Sequence, residues 1–202
     1  MEKEEGLPKK LELGCGTRKP EGFYGVDRVD TEATDLVQDL DSENWDLPPN
    51  HFEEIRAIDL FEHLENPVNF LEEVHRIAEF GAEIFIKAPH LSSQNWTDPT
   101  HKRLAGIDTI SNYFTQNGRL NFYSDARFEI ESIQLRFFKR KFFFYNYIIQ
   151  PLVNSSRFTQ MLFEKTFLSR FFPAHNIRFH LEKPQLPREV RQKLDDIGEG
   201  EI

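Results

Sequence analysis

Residues 11–16 read Leu-Glu-Leu-Gly-Cys-Gly, and a second short apolar run soon closes on Gly25-Val26-Asp27. An alternating strand thus ends in an acid and a two-glycine turn, and the next strand ends in a carboxylate. That layout belongs to the edge of an α/β sheet that holds a nucleoside. Turn glycines let backbone N–H groups approach a ligand, and an acid at the following strand tip accepts hydrogen bonds from ribose hydroxyls. Only Thr17 to Gly22 separate the two strands, and Pro20 and Gly22 discourage a helix there. The first crossover is therefore one helical turn or less, where a parallel connection usually takes about a dozen residues.

The rest of the chain alternates strands with helices. Asp35 to Leu40 and Glu54 to Leu60 read as the third and fourth strands. Asn66 is the expected cap of a helix that begins at Pro67 and repeats Val68, Leu71, Val74 and Ile77 at helical spacing. Glu72 and Arg76 are expected to pair on that helix, and Gly81 sits where its C-terminal cap belongs. Glu83 to Ala88 is a fifth strand, Ile107 to Gln116 a helix, and Phe128 to Phe137 a long strand. An aromatic insertion follows, in which Ser155 to Phe172 reads as one helix between Pro151 and Pro173, and Asn176 to Glu182 is the last strand. The pattern predicts an α/β fold: a mostly parallel sheet with helices on both faces, a shortened first crossover and a helical aromatic insertion before the last strand. Residues 1–183 make one domain, 138–173 being the insertion, and 184–202 a charged tail. Ligands of such sheets bind beyond the carboxyl ends of the strands, which points to Gly14-Cys15-Gly16, Asp27, Asp39, Asp59 and His90.

At 202 residues the chain suits one core. Its net charge of −9 hides a division: residues 1–99 carry 9 Lys/Arg against 23 Asp/Glu, and residues 100–183 carry 13 against 6. Of the 20 phenylalanines, 14 lie between Phe114 and Phe179, so a basic, aromatic back half follows an acidic front half. Either the back half faces something acidic or apolar, or the halves complement each other. The single Cys15 excludes an internal disulfide and a multi-cysteine metal site, and it suits a reducing cytoplasm. No signal-peptide pattern opens the sequence. Phe142 to Val153 is shorter than the roughly 20 residues a membrane span takes.

The glycine turn does not stand alone. Glu12-Leu13-Gly14-Cys15-Gly16, Gly25-Val26-Asp27, Asp39-Leu40, Ile58-Asp59-Leu60-Phe61-Glu62-His63-Leu64 and Arg76-Ile77 leading to Phe80-Gly81 follow in order. Together they resemble the class I S-adenosylmethionine-dependent methyltransferases, with a Rossmann-like fold. Asp98 to Arg103 and Phe172 to Ile177 look like segments of a small-molecule, type 11-like subgroup. The resemblance implies S-adenosylmethionine as cofactor. Gly14 and Gly16 would pass close to its methionine and ribose, with Cys15 a filler of the turn. Glu12 would anchor the turn and reach the ammonium group. Asp27 would take the ribose diol, and Asp39 the adenine amino group with Leu40 on the ring. Asp59 and Leu60 would lie beside the sulfonium. A third family glycine is missing, with Arg18 in its place.

Methyl transfer asks for alignment and for removal of a proton from the acceptor. His63, on the rim of the expected pocket, and His101, in the loop after the fifth strand, are the candidate bases; Tyr113 is a weaker one. His90, Asp98 and His101 lack regular ligand spacing, so no metal is expected. Asp98 and Arg103 are expected to tie their loop down, and Glu62 to cap or pair near the helix start. The acceptor site falls to the loop 89–106 and the segment 139–172, with Lys139-Arg140-Lys141 beside three consecutive phenylalanines. Such a surface suits a small or amphipathic acceptor, a membrane surface or a single nucleic-acid strand, and equally a cover for the sheet or a homodimer contact. The acidic front half argues against double-stranded nucleic acid. Three readings follow: a methyltransferase acting on a small or amphipathic acceptor at oxygen, a catalytically silent S-adenosylmethionine-binding partner or regulatory module, and an NAD-dependent oxidoreductase.

Overall fold

A computed structural model describes residues 6–139 and 141–185. The tail beyond 185 and Arg140 of the basic run lie outside the described residues. The strands are β1 (Lys10–Leu13), β2 (Phe23–Asp27), β3 (Leu36–Val37), β4 (Phe52–Ile58), β5 (Ala78–Pro89), β6 (Glu129–Arg136) and β7 (Asn176–Glu182). The helices are α1 (Pro67–Ile77), α2 (Asp108–Phe114), α3 (Asn146–Val153), α4 (Arg157–Lys165) and α5 (Leu168–Phe171).

The strands form one sheet in the order β3-β2-β1-β4-β5-β7-β6. All of the neighbouring pairs from β3 to β5 are parallel, and β7 runs against both β5 and β6. This is the expected mostly parallel α/β sheet. The first crossover is shorter than a helical one: Gly14 to Gly22 is a loop, because Pro20 and the glycines remove helix donors and stiffness there.

Helix placement refines the expectation. Leu11, Leu13, Ile55, Ala57, Ile84, Ile86, Ile177 and Phe179 point to one side of the sheet and join the buried cluster with Phe70, Leu71 and Val74 of α1, Phe114 of α2 and Phe163 of α4. The alternate residues Arg56, Lys87, Arg178 and His180 form a polar, half-exposed second face. Among the described residues the helices put their buried side chains into the cluster on the other side. The expected helices on both faces are thus helices on one.

Local corrections have plain causes. The expected third strand shrinks to Leu36–Val37, which only β2 supports as an edge. Asn66 caps α1 as read, its Oδ1 accepting from the Asn69 N–H at 3.2 Å. Arg76 pairs with Glu73, not Glu72: two bonds of 2.8 and 2.7 Å form because Glu73 faces inward and also accepts from the Trp45 N–H. Gly81 does not cap α1; it lies within β5 at φ 86°, where the chain adjusts its pairing between β4 and β7. The single helix expected over 155–172 is broken into α4 and α5 at Thr166 and Phe167, and α3 runs through Pro151.

The insertion's helices finish the sheet's edge. Asn154 Nδ2 donates to the Leu135 carbonyl and its Oδ1 accepts from the Leu135 N–H, at 2.8 and 2.7 Å. Gln160 donates to the Ile133 carbonyl at 2.6 Å, and Gln150 accepts from the Phe137 N–H at 3.2 Å. Side-chain amides thereby take the place of a next strand along β6.

Candidate active site

Four strand ends meet at one cleft. Its volume is about 310 Å³, and Gly14, Asp27, Asp39, Leu40, Asp59, Leu60 and His63 line it together with Arg28, Val29, Asp41, Leu64 and Thr100. The cleft opens at the carboxyl ends of β1, β2 and β4, where an α/β sheet presents its loops.

The glycine turn is held by the strand beside it. Gly14 and Cys15 donate to the Val26 carbonyl at 2.8 and 3.2 Å, and Gly16 donates to Asp27 Oδ2 at 2.8 Å. Gly14 and Gly16 have φ of 69° and 55°, a region that favours glycine. Asp27 Oδ1 also accepts from the Val29 N–H at 3.0 Å. The carboxylate is thus fixed by two backbone donors, and each oxygen keeps a lone pair for a ligand in the cleft. Asp59 carries φ 53° and pairs with Lys87 at 2.5 Å, which turns the chain sharply after β4 and aims Leu60 at Gly14. Asp41 Oδ1 accepts from the Glu65 and Asn66 N–H groups at 2.7 and 3.2 Å and ties the two walls together.

Other expected residues stand outside the lining. Glu12 is buried on the polar face of the sheet, 3.2 Å from Arg56 Nε; burial raises its carboxyl above the usual range while Arg56 acts the other way. Cys15 is buried against the Ala33 carbonyl at 3.6 Å, and burial raises its thiol. His90 is fully buried, with Ser92 Oγ at 2.8 Å and Glu164 Oε2 at 3.0 Å, so it locks α4 to the end of β5. Tyr113 packs against Phe114 and Tyr123, away from the cleft. Asp98 does hold its loop, through Thr100, whose hydroxyl and N–H bonds lower the Asp98 carboxyl. Arg103 reaches the Glu65 carbonyl at 3.2 Å.

His101 stands one ring behind His63, the two imidazoles meeting edge to face at 4.8 Å. Behind both is Glu62. Its side chain is buried, and burial raises its carboxyl to about 7. Sequence reasoning had Glu62 cap or pair near the helix start and passed over Asp41 and Thr100. The acid following Asp39-Leu40 and the Asp98-Pro99-Thr100-His101 run were the available signals.

The fold itself is that of the class I S-adenosylmethionine-dependent methyltransferases. The chain is similar to an S-adenosylmethionine-dependent methyltransferase from Archaeoglobus fulgidus, at 16% identity over 89% of this chain and 88% of that one, with a TM-score of 0.52. It is also similar to one from Mesorhizobium loti, at 13% identity, 89% and 92% coverage and a TM-score of 0.52. The cyclase SpnF is similar to the same degree, at 17% identity, 90% and 76% coverage and a TM-score of 0.52. No protein-family profile matches the sequence, and no curated protein matches it. At these identities the likeness concerns the fold. A cyclase among the neighbours illustrates that the fold does not fix the reaction. None of the helices in the described residues is long and apolar enough to cross a membrane.

Proposed function

We propose that this protein is an S-adenosylmethionine-dependent methyltransferase whose acceptor is small or amphipathic and is methylated at oxygen. The observation that carries the reading is the cleft, where glycine backbone, a fixed Asp27 carboxylate and the Asp39-Leu40 pair converge from three strand ends. These residues suit the cofactor. The open Gly14 backbone suits the methionine and ribose, the Asp27 carboxylate a diol, Asp39 an amino group and Leu40 a ring face. Glu12 lies on the polar face of the sheet beside Arg56.

When bound, S-adenosylmethionine supplies a methyl group on an already activated sulfur. The chain's own part is to align the acceptor, exclude water and take up a proton. His63, on the cleft's rim, would receive the acceptor's proton, with His101 one ring behind it as the second candidate base. The insertion supports an amphipathic acceptor. It leaves the sheet after Arg136 and returns at Asn176, at the edge where β5 ends; it exposes Phe144, Tyr147, Phe158, Phe167 and Phe171, and it carries Arg170 together with Arg157 and Lys165, which pair with Asp108. A basic, aromatic surface of this kind suits an anionic amphiphile or a membrane face.

A dinucleotide fits less well. Among the described residues no helix follows Gly16 to cradle a pyrophosphate, and Lys19 is engaged with Asp35. The test is thermal unfolding with S-adenosylhomocysteine, S-adenosylmethionine or NAD, since a ligand of the native state raises its stability. Stabilisation by both sulfur nucleosides, lost in Asp27→Ala, is the expected result; stabilisation by NAD alone would overturn the reading. Transfer of labelled methyl to a panel of hydroxy acids and amphipathic phenols then separates an enzyme from a silent binding module.

A further inference from the structure

Three side chains meet at and behind the cleft's rim, which His63 lines, with chemistry that nucleoside binding leaves unused. Glu62, His63 and His101 each bring one donor atom within 4.8 Å of the other two. The first two come from the 3-10 turn after β4, and His101 comes from the loop after β5. Backbone joins these segments: the Lys102 N–H donates to the Glu62 carbonyl at 2.8 Å, while the Lys102 side chain pairs with Glu65 at 2.7 Å.

The imidazoles are oriented as ligands are. His63 Nδ1 lies 3.2 Å from the Thr100 carbonyl. A carbonyl only accepts, so Nδ1 carries the hydrogen and Nε2 keeps its lone pair. Metal-binding histidines are commonly fixed by such a bond on the far nitrogen. His101 Nε2 stands 4.0 Å from Glu62 Oε1 and 3.7 Å from Asp98 Oδ2. Glu62 is 2% exposed, and its Oε2 has no hydrogen-bond partner among the described residues; the same holds for His101 Nδ1. A carboxylate oxygen buried without a donor is disfavoured unless a proton or a cation neutralises it.

We propose that Glu62, His63 and His101 form a binding site for a divalent transition-metal ion. Two imidazoles with one carboxylate suit zinc, cobalt or manganese better than calcium or magnesium. Binding of the ion is independent of the function proposed above, but its use rests on that reading. An acceptor hydroxyl that ligates the ion becomes more acidic and releases its proton to water. Its oxygen then forms the bond to the methyl carbon, the carbon–sulfur bond breaks, and that electron pair stays on sulfur. The imidazole lone pairs are engaged by the ion in this state, so the histidines act as ligands in place of bases.

The test is titration of chelator-treated protein with cobalt(II), followed by visible absorption and by calorimetry. We expect one saturable site with ligand-field bands, weakened at least about tenfold in His63→Ala, His101→Ala and Glu62→Gln. His63 is only partly buried, so its variant tests the site independently of the buried Glu62. S-adenosylhomocysteine binding is measured on the same samples. Nucleoside binding without saturable cobalt binding, or cobalt binding that all three variants leave unchanged, overturns the metal site alone. Site-dependent cobalt binding without nucleoside binding supports the metal site and removes the methyl-transfer reading.

Discussion

Gly14 and Leu60 approach so closely that a β-carbon on Gly14 would lie 3.0 Å from Leu60 Cδ1. The glycine turn after β1 and the turn after β4 therefore form one surface, and their contact sets that wall of the cleft. Gly14→Ala adds this overlap to a left-handed backbone, and that conformation alone costs about 1–2 kcal/mol for a residue with a β-carbon. Both stability in urea and affinity for S-adenosylhomocysteine should fall. Adding Leu60→Ala removes the contacts with the two Cδ atoms but leaves the residue-60 β-carbon at 3.2 Å and the backbone strain, so the double variant should recover only part of the loss.

Lys183 is a buried cation held by three oxygens. Its Nζ donates to Asn50 Oδ1 at 2.7 Å and to the His75 and Ala78 carbonyls at 2.9 Å each, at the C-terminal end of α1. A cation there also meets the negative end of the helix dipole. Lys183→Met leaves those acceptors unpaired and should cost about 2–3 kcal/mol in urea unfolding.

The pH dependence of stability should be split between half-buried His75 and buried Glu62, with opposite signs. Burial lowers the His75 imidazole to about 4, with Lys183 and Arg127 acting in the same direction. An unfolded imidazole titrates near 6.5, so between these values only the unfolded chain binds the proton, and stability falls as pH falls. Glu62 does the reverse: with its carboxyl raised to about 7, the folded chain holds the extra proton, and stability is lost as pH rises from the unfolded value near 4.5. Relative to the parent, His75→Phe should be stabler toward pH 4.5 and Glu62→Gln stabler toward pH 7, each slope at most about 1.4 kcal/mol per pH unit. Urea midpoints at several pH values, with chelator present, check both.

The amide side chains along β6 give a prediction about solution behaviour. Asn154 satisfies both backbone groups of Leu135, so Asn154→Leu uncovers a pair on an edge strand. A loss of about 1–3 kcal/mol is expected, as for backbone groups left unpaired. Concentration-dependent association by sedimentation should accompany it, because an open edge templates strand pairing.

Periodicity and turn chemistry made most of the strands readable in the sequence, and α1 with its cap at Asn66 as well. These signals are local, and a glycine turn or an asparagine cap acts within a few residues. The insertion was less legible. Pro151 reads as a stop, yet α3 passes through it, and α4 breaks from α5 at a threonine with no breaker nearby. There, packing against β6 and the His90–Glu164 bond outweigh local preference.

The sequence by itself determined that Gly14, Asp27, Asp39 and Asp59 would stand at strand ends of a parallel sheet, because strand termini are set by local alternation and by the turns that stop it. Only the tertiary structure decided that Glu12 turns away to Arg56, that the helices gather on one face, and that Glu62 meets His101 across thirty-nine positions of chain. Those outcomes depend on which elements lie side by side, and no spacing within a single segment encodes that.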